Sequence, residues 1–401
     1  MPTPPLQFKL GVGPILSHAF NADRSQVAVA SDNCNLYIFE RKNNKWEITH
    51  TLCEHDQPLT GVDWCPKTNR IVTCADDKNA YVWTFENGKW NACLVLLRVK
   101  CSATCVKWSP NENKFAVGTA QKLVAICYYE KEHNWWVAKH IKTDINSTVR
   151  TIAWHPGNVL LAVGSFDRYA RVFSAYVKEV EEKPSPLPWG AKMSFGATMA
   201  SYPVSGFVKA VAFSPSGHRL VIVTHDATCN VVDANEDLHR VVTYYGKELT
   251  MRSVMWINEN EFVAGGDDQY PILYEYTGKE VRIKKAFDVF SEKPKNKVLS
   301  AFAKFRNLDD LDTENPDDGV PQPLHTFAIT DIIPFKGTAS ARTGVTDISS
   351  VSHDGQMIVW PIQATLDYLN ALLVRHYLRR KKQRQLAFFE TNSSHKCVHV
   401  T

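Results

Sequence analysis

The stretch TGVDWCPKTNRIVTCADDKNAYVWTF, residues 60–85, decides the fold. Apolar and polar residues alternate up to Trp64, a Pro-containing turn follows, and Ile71–Ala75 is an apolar run. A polar turn around Asp77 then leads into a second alternating run that passes through Trp83. Period-two alternation bounded by turn residues marks half-buried antiparallel strands. The same pattern recurs as TCVKWSPNENKFAVGTAQKLVAICYY (104–129), RTIAWHPGNVLLAVGSFDRYARVFSA (150–175) and KAVAFSPSGHRLVIVTHDATCNVVDA (209–234). A last copy, SSVSHDGQMIVWPI, occupies 349–362.

The aromatic of the first strand falls at Phe20, Trp64, Trp108, Trp154, Phe213 and Trp256, at spacings of 44, 44, 46, 59 and 43. The polar residue of the tight turn falls at Asn33, Asp77, Gln121, Asp167, Asp226, Asp268 and Asp354, at spacings of 44, 44, 46, 59, 42 and 86. A period near 44 with four short strands per unit is that of a WD-type blade, and seven turn positions predict seven blades. The expected fold is therefore all-β: a seven-bladed WD-repeat β-propeller over 1–365, with a helical insertion between blades six and seven and a C-terminal helix. The N-terminal segment near Phe8–Leu10 is expected to close the ring on the outer part of blade seven, because closure removes exposed sheet edges.

The repeats are degenerate, since the Trp-Asp dipeptide is absent: Trp83 precedes Thr84 and Trp360 precedes Pro361. The aspartates Asp77, Asp167, Asp226, Asp268 and Asp354 nevertheless have a clear task. A carboxylate in a tight turn accepts backbone N–H groups and pins the turn, so these residues are structural rather than catalytic. Six residues further on, Phe39, Trp83, Cys127, Phe173, Val232, Tyr274 and Trp360 are expected to pack between blades. The excess spacing locates two insertions, 176–206 and 286–323. Blade loops accept insertions because they lie on the surface, where binding function concentrates.

The second insertion contains KVLSAFAKFRNLDDLDTENPDDGVPQP, residues 297–323. Val298, Phe302 and Phe305 fall on one face of a helix, and six acids follow between Asp309 and Asp318. An isolated helix of about ten residues is unstable in water. Its apolar face needs a cover, either the propeller edge or a groove on a partner. The acidic part reads as a solvated tether extended by self-repulsion.

Hydrophobic residues make up 44% of the 401, enough for a large core, and the net charge of +4 is too mild to imply nucleic acid. The ten cysteines include no CxxC pair and mostly sit in strand-like runs, so buried free thiols are expected. The start, MPTPPLQFKLGVGP, lacks a basic segment followed by an apolar one, so no signal peptide is expected. No apolar run is long enough to predict a membrane-spanning helix. The sequence contains no GxGxxG, P-loop, HExxH or GxSxG motif. His395, Cys397 and His399 alternate near the end, but structural zinc normally takes four ligands, so no metal or cofactor is expected.

Five stretches carry a resemblance to a known family: NRIVTCADDKNAYVWT (69–84), ENKFAVG (112–118), NVLLAVGS (158–165), FSAYVKEVEEKPSPLPWGAKMSFG (173–196) and the insert core FRNLD (305–309). Together they resemble subunit 1 of the actin-related protein 2/3 complex, across about residues 8–368 and including both insertions. The resemblance implies a non-catalytic propeller in a hetero-oligomer with the other subunits of that complex, in the cytoplasmic actin cytoskeleton. It implies help in engaging nucleation-promoting factors, and contact of the second insertion with the mother actin filament. On this chain the contact falls on Val298, Leu299, Phe302, Phe305, Arg306, Asn307 and Leu308. ATP binding belongs to the actin-related subunits, so no cofactor is implied here. A WD scaffold or adaptor of another multiprotein complex is the alternative.

The chain departs from the family at its end. LDYLNALLVRHYLRRKKQRQLAFF continues from Leu366, with a basic run at Arg379, Arg380, Lys381, Lys382 and Arg384. A basic amphipathic helix is expected over 366–387 and a disordered tail over 388–401. Such a run is either a solvated helix end or a contact for an acidic surface, without stable membrane insertion.

Overall fold

The computed structural model describes residues 4–287, 290–291, 322–339 and 344–367. Seven four-stranded antiparallel sheets follow one another around a ring, each running from an inner strand at the axis to an outer strand at the rim. Blade two is typical: Leu59–Trp64, Arg70–Ala75, Ala80–Glu86 and Lys89–Val95, each paired with the next. Blade seven is composite. Its strands Ile329–Gly337, Val345–Ser352 and Gln356–Pro361 take Leu6–Lys9 as the outer strand, with Leu6 opposite Val359 and Lys9 opposite Gln356. The N-terminal closure expected from the sequence is thus present.

The apolar core is not at the axis. It consists of seven clusters, one between each pair of neighbouring blades. This is why the inner three strands are apolar on both faces: each lies between two sheets. The positions six residues after each turn sit in these clusters, and Phe39, Trp83, Cys127, Phe173, Val232, Tyr274 and Trp360 are all 2% exposed or less. Two first-strand aromatics also link blades: Trp154 Nε1 donates to the Lys107 carbonyl (2.9 Å) and Trp256 Nε1 to the Ala212 carbonyl (3.0 Å).

The two insertions leave from opposite faces of the ring. Antiparallel strands alternate in direction, so the connection within blade four lies on the face of the Pro-containing turns. The connection from blade six to blade seven lies on the face of the turn aspartates. The first is a packed strap. Trp189 is 1% exposed, and its Nε1 donates to the Gly217 carbonyl of blade five at 2.7 Å. Burying an indole there stabilises by a few kcal/mol, comparable to a core aromatic.

Residues 362–367 are helical after the last strand. The remainder of the expected basic helix, with Arg379, Arg380, Lys381, Lys382 and Arg384, lies outside the described residues, as does the tail with its His395–His399 cluster. All nine described cysteines are free thiols. Cys65, Cys74, Cys127 and Cys229 are buried as expected. Cys53, Cys93 and Cys101 are exposed, because they fall on an outer strand or in connections rather than between sheets.

Candidate functional site

Two polar systems occupy the ring: the turn network on one face and the lining of the central channel. In the turns, Asp77, Asp167 and Asp354 work with both oxygens. Oδ1 accepts the N–H two residues ahead: Asn79 on Asp77 (2.9 Å), Tyr169 on Asp167 (3.1 Å) and Gln356 on Asp354 (2.9 Å). Oδ2 reaches back to the loop that enters the blade: Asp56 N–H on Asp77 (3.3 Å), Asn146 on Asp167 (3.1 Å), Leu249 on Asp268 (2.9 Å) and Thr326 on Asp354 (2.9 Å). The Asp226 carboxylate instead accepts from Thr224, Thr228 and the Thr228 N–H of its own turn. The pin matters because the residue after the aspartate is left-handed and mostly not glycine: Lys78, Arg168, Ala227 and Gln269 have φ of 70, 66, 62 and 70°. In blade three Gln121, one methylene longer, accepts the Lys100 N–H and so replaces the aspartate's reach to the entering loop.

Blades two and seven add a histidine that the sequence reading missed. His55 Nδ1 donates to Asp77 (2.6 Å), its Nε2 accepts from Thr73 (2.8 Å), and Trp83 Nε1 donates to the same Thr73 hydroxyl (3.0 Å). His325, Asp354, Ser350 and Trp360 repeat the chain at 3.1, 2.8 and 2.8 Å. Each hydroxyl donates once and accepts once, so this direction uses every hydrogen-bonding atom. Burial pushes His55 below the usual histidine range, against the pull of Asp77. Burial alone raises the Asp354 carboxyl, but His325 and two backbone N–H groups outweigh it and hold the group low. The legible signal was a histidine 22 and 29 residues before the turn aspartates, paired with Trp six residues after them.

The channel holds two carboxylates, Asp63 and Asp331. Asp63 Oδ2 accepts the Trp108 N–H of blade three at 2.7 Å, and its Oδ1 lies 3.6 Å from Lys107 Nζ. Asp331 of blade seven accepts from Ser17 and the His18 N–H of blade one and from Ser253 of blade six, at 3.3–3.4 Å. Burial raises Asp63. Burial also acts to raise Asp331, but the adjacent His18 and Lys107 overcome it and bring the carboxyl down to about 2. Both acids therefore bind neighbouring blades together. Among the described residues no group of three or more His, Cys, Asp and Glu could hold a metal.

Val298, Leu299, Phe302, Phe305, Arg306, Asn307 and Leu308 lie outside the described residues. Their connection departs from the turn-aspartate face. Phe207, Leu249 and Phe327, in the loops entering blades five, six and seven on that face, are 46%, 49% and 59% exposed. The adjacent residues Trp135 and Trp136 divide: Trp136 is buried among Trp108, Phe115 and Tyr129, and Trp135 is 50% exposed at the rim.

Fold and polar systems define a WD-repeat β-propeller whose titratable groups chiefly hold blades together. The WD domain, G-beta repeat family matches residues 46–84 and 138–174. Actin-related protein 2/3 complex subunit 1A-B of Xenopus laevis is 40% identical over 365 residues, covering 90% of this chain and 97% of that protein. Subunit 1B-A of the same organism is 44% identical over 90% of this chain and 98% of its own length. Subunit 1 of Schizosaccharomyces pombe is 36% identical over 87% and 97%. The chain belongs to the family of subunit 1 of the actin-related protein 2/3 complex. No helix among the described residues is long and apolar enough to cross a membrane.

Proposed function

We propose that this chain is a non-catalytic structural subunit of an actin-related protein 2/3 complex, supporting nucleation of branched actin filaments in the cytoplasm. The observation that carries the reading is likeness over the whole ring: relatives with that name align over 97% of their length. The engagement of Asp63 and Asp331 between blades supports the absence of catalysis, since neither is free to act on a substrate. The partners are the other subunits, the mother filament through Val298–Leu308, and nucleation-promoting factors; no cofactor is required.

The test has two parts. Affinity purification of the tagged chain from its own cells should return the other subunits of the complex; their absence would favour another scaffold. In the purified complex, Phe302→Ala with Phe305→Ala should reduce branch formation on pre-formed filaments and leave melting unchanged. Each ring, as an interface anchor, should contribute roughly 2–4 kcal/mol. Normal branching with a lowered melting temperature would make the segment a piece of core instead.

A further inference from the structure

Every inner strand carries a β-bulge at its second residue. The register shifts fall between Ile15/Ser17, Leu59/Gly61, Ala103/Cys105, Val149/Thr151, Val208/Ala210, Met251/Ser253 and Ile329/Asp331. A bulge leaves its extra residue unpaired and re-aims the side chain. In three blades that residue is threonine, and its hydroxyl donates to the inner strand of the next blade. Thr60 reaches the Ala103 carbonyl (2.9 Å), Thr104 that of Val149 (2.6 Å) and Thr330 that of Ile15 (2.8 Å). In blade one the same position is Leu16, and in blades four, five and six it is Arg150, Lys209 and Arg252.

Three consecutive blades thus give up a staple and place three cations side by side at the channel mouth. They line a cavity of about 360 Å³ together with Phe166 and His353; the lining also includes Lys107 and the Asp331 carboxylate, which is already engaged by Ser17, Ser253 and the His18 N–H. Only Arg252 is paired, to Asp267 at 2.8 Å. Among the described residues Arg150 makes no hydrogen bond or ion pair, and Lys209 has the Phe166 ring, 5.8 Å from its ammonium, and the attraction of Asp267, which Arg252 already pairs. Burial lowers Lys209, and the neighbouring Arg150 and Arg252 lower it further, so the cations oppose one another. Nothing in the packing calls for long cationic side chains where threonine serves elsewhere.

We propose that this half-ring is a binding site for a compact polyphosphate, an anion with several phosphate groups on one small frame. Guanidinium forks donate paired N–H groups to phosphate oxygens, and an ammonium between them supplies a point charge. The cavity lies at the small end of ligand pockets, too narrow for a folded partner and wide enough for a phosphorylated ring. The same chemistry is presented by a free inositol polyphosphate and by a phosphoinositide headgroup.

The test uses the full chain. Calorimetric titration with inositol hexakisphosphate should show binding that weakens as salt rises. Arg150→Thr with Lys209→Thr should lower the affinity at least tenfold with unchanged melting, because threonine is the residue that blades two, three and seven carry there. Lys209→Met alone should give a smaller loss and guards against misfolding of the double variant. Co-sedimentation with vesicles containing 5% phosphatidylinositol bisphosphate separates the sources: vesicle binding abolished by the same substitutions assigns a headgroup, and its absence beside tight soluble binding assigns a free ligand. Equal affinity of wild type and double variant would overturn the site. So would a hexaglutamate peptide binding as tightly as the polyphosphate, since any acidic chain would then suffice.

Discussion

Lys114 is fully buried in blade three, and its fate depends on the strap from blade four. Its ammonium donates to the Ala175 carbonyl (2.7 Å) and to Glu181, and lies 5.1 Å from the centre of the Trp154 ring. Glu181 also accepts from Asn158 and from the Val177 N–H (2.9 Å). Removing one partner of such a buried pair costs about 3–5 kcal/mol, because the other charge is left uncompensated. Lys114→Met should fall near the lower end, since Glu181 keeps two donors. Replacing both, as Lys114→Met with Glu181→Leu, should cost less than the sum of the single changes. The pH dependence has a definite sign. Burial brings Lys114 down from 10.5 to about 8 against the pull of Glu181. Between those values the unfolded chain holds a proton that the folded chain has lost, so this group's contribution to stability rises with pH. The shift of about 2.5 corresponds to about 3 kcal/mol gained by wild type relative to Lys114→Met between pH 7 and 11. Urea denaturation at both pH values measures this difference, which cancels the other alkaline titrations. Trypsin cleavage at Lys178 and Lys192 reports release of the strap. A Lys114→Met variant within 0.5 kcal/mol of wild type at pH 7, with an uncleaved strap, would refute the clamp.

Deleting residues 1–10 removes the outer strand of blade seven and should lower the melting temperature of the whole ring; unchanged melting would show that closure does not depend on Leu6–Lys9. Thr73→Val removes the hydroxyl that joins His55 to Trp83 and should cost about 1–3 kcal/mol, the penalty for stranding buried polar groups. Because the folded His55 lies below its free value of 6.5, its contribution falls as pH drops below that value. His55→Phe should flatten that part of the stability profile, and an unaltered profile would count against the assignment.

The blade count, the inter-blade positions and the closing N-terminal strand were legible because they follow from period and alternation, which each blade must satisfy by itself. The turn aspartates were legible for the same reason: the left-handed residue beside them needs a local pin. The histidines were not, because His55 and His325 meet their aspartates across 22 and 29 residues and appear in only two blades. Lys114 was legible only as a strand residue within ENKFAVG, since its partner Glu181 lies 67 positions away in an insertion. The channel cations stayed hidden for a different reason. Each of Arg150, Lys209 and Arg252 looks like an ordinary strand-end charge, and only ring closure sets them side by side.

The distribution of pins and insertions gives the ring two unlike faces. On the face of the Pro-containing turns the strap crosses from Lys114 of blade three to Gly217 of blade five, buries Trp189 and ties three blades together. On the opposite face blades four to six lack the threonine staple, three exposed apolar side chains stand in the entering loops, and the longest insertion departs. The strap on the first face ties blades three to five, and two of these, four and five, carry a cation in place of the threonine staple on the second.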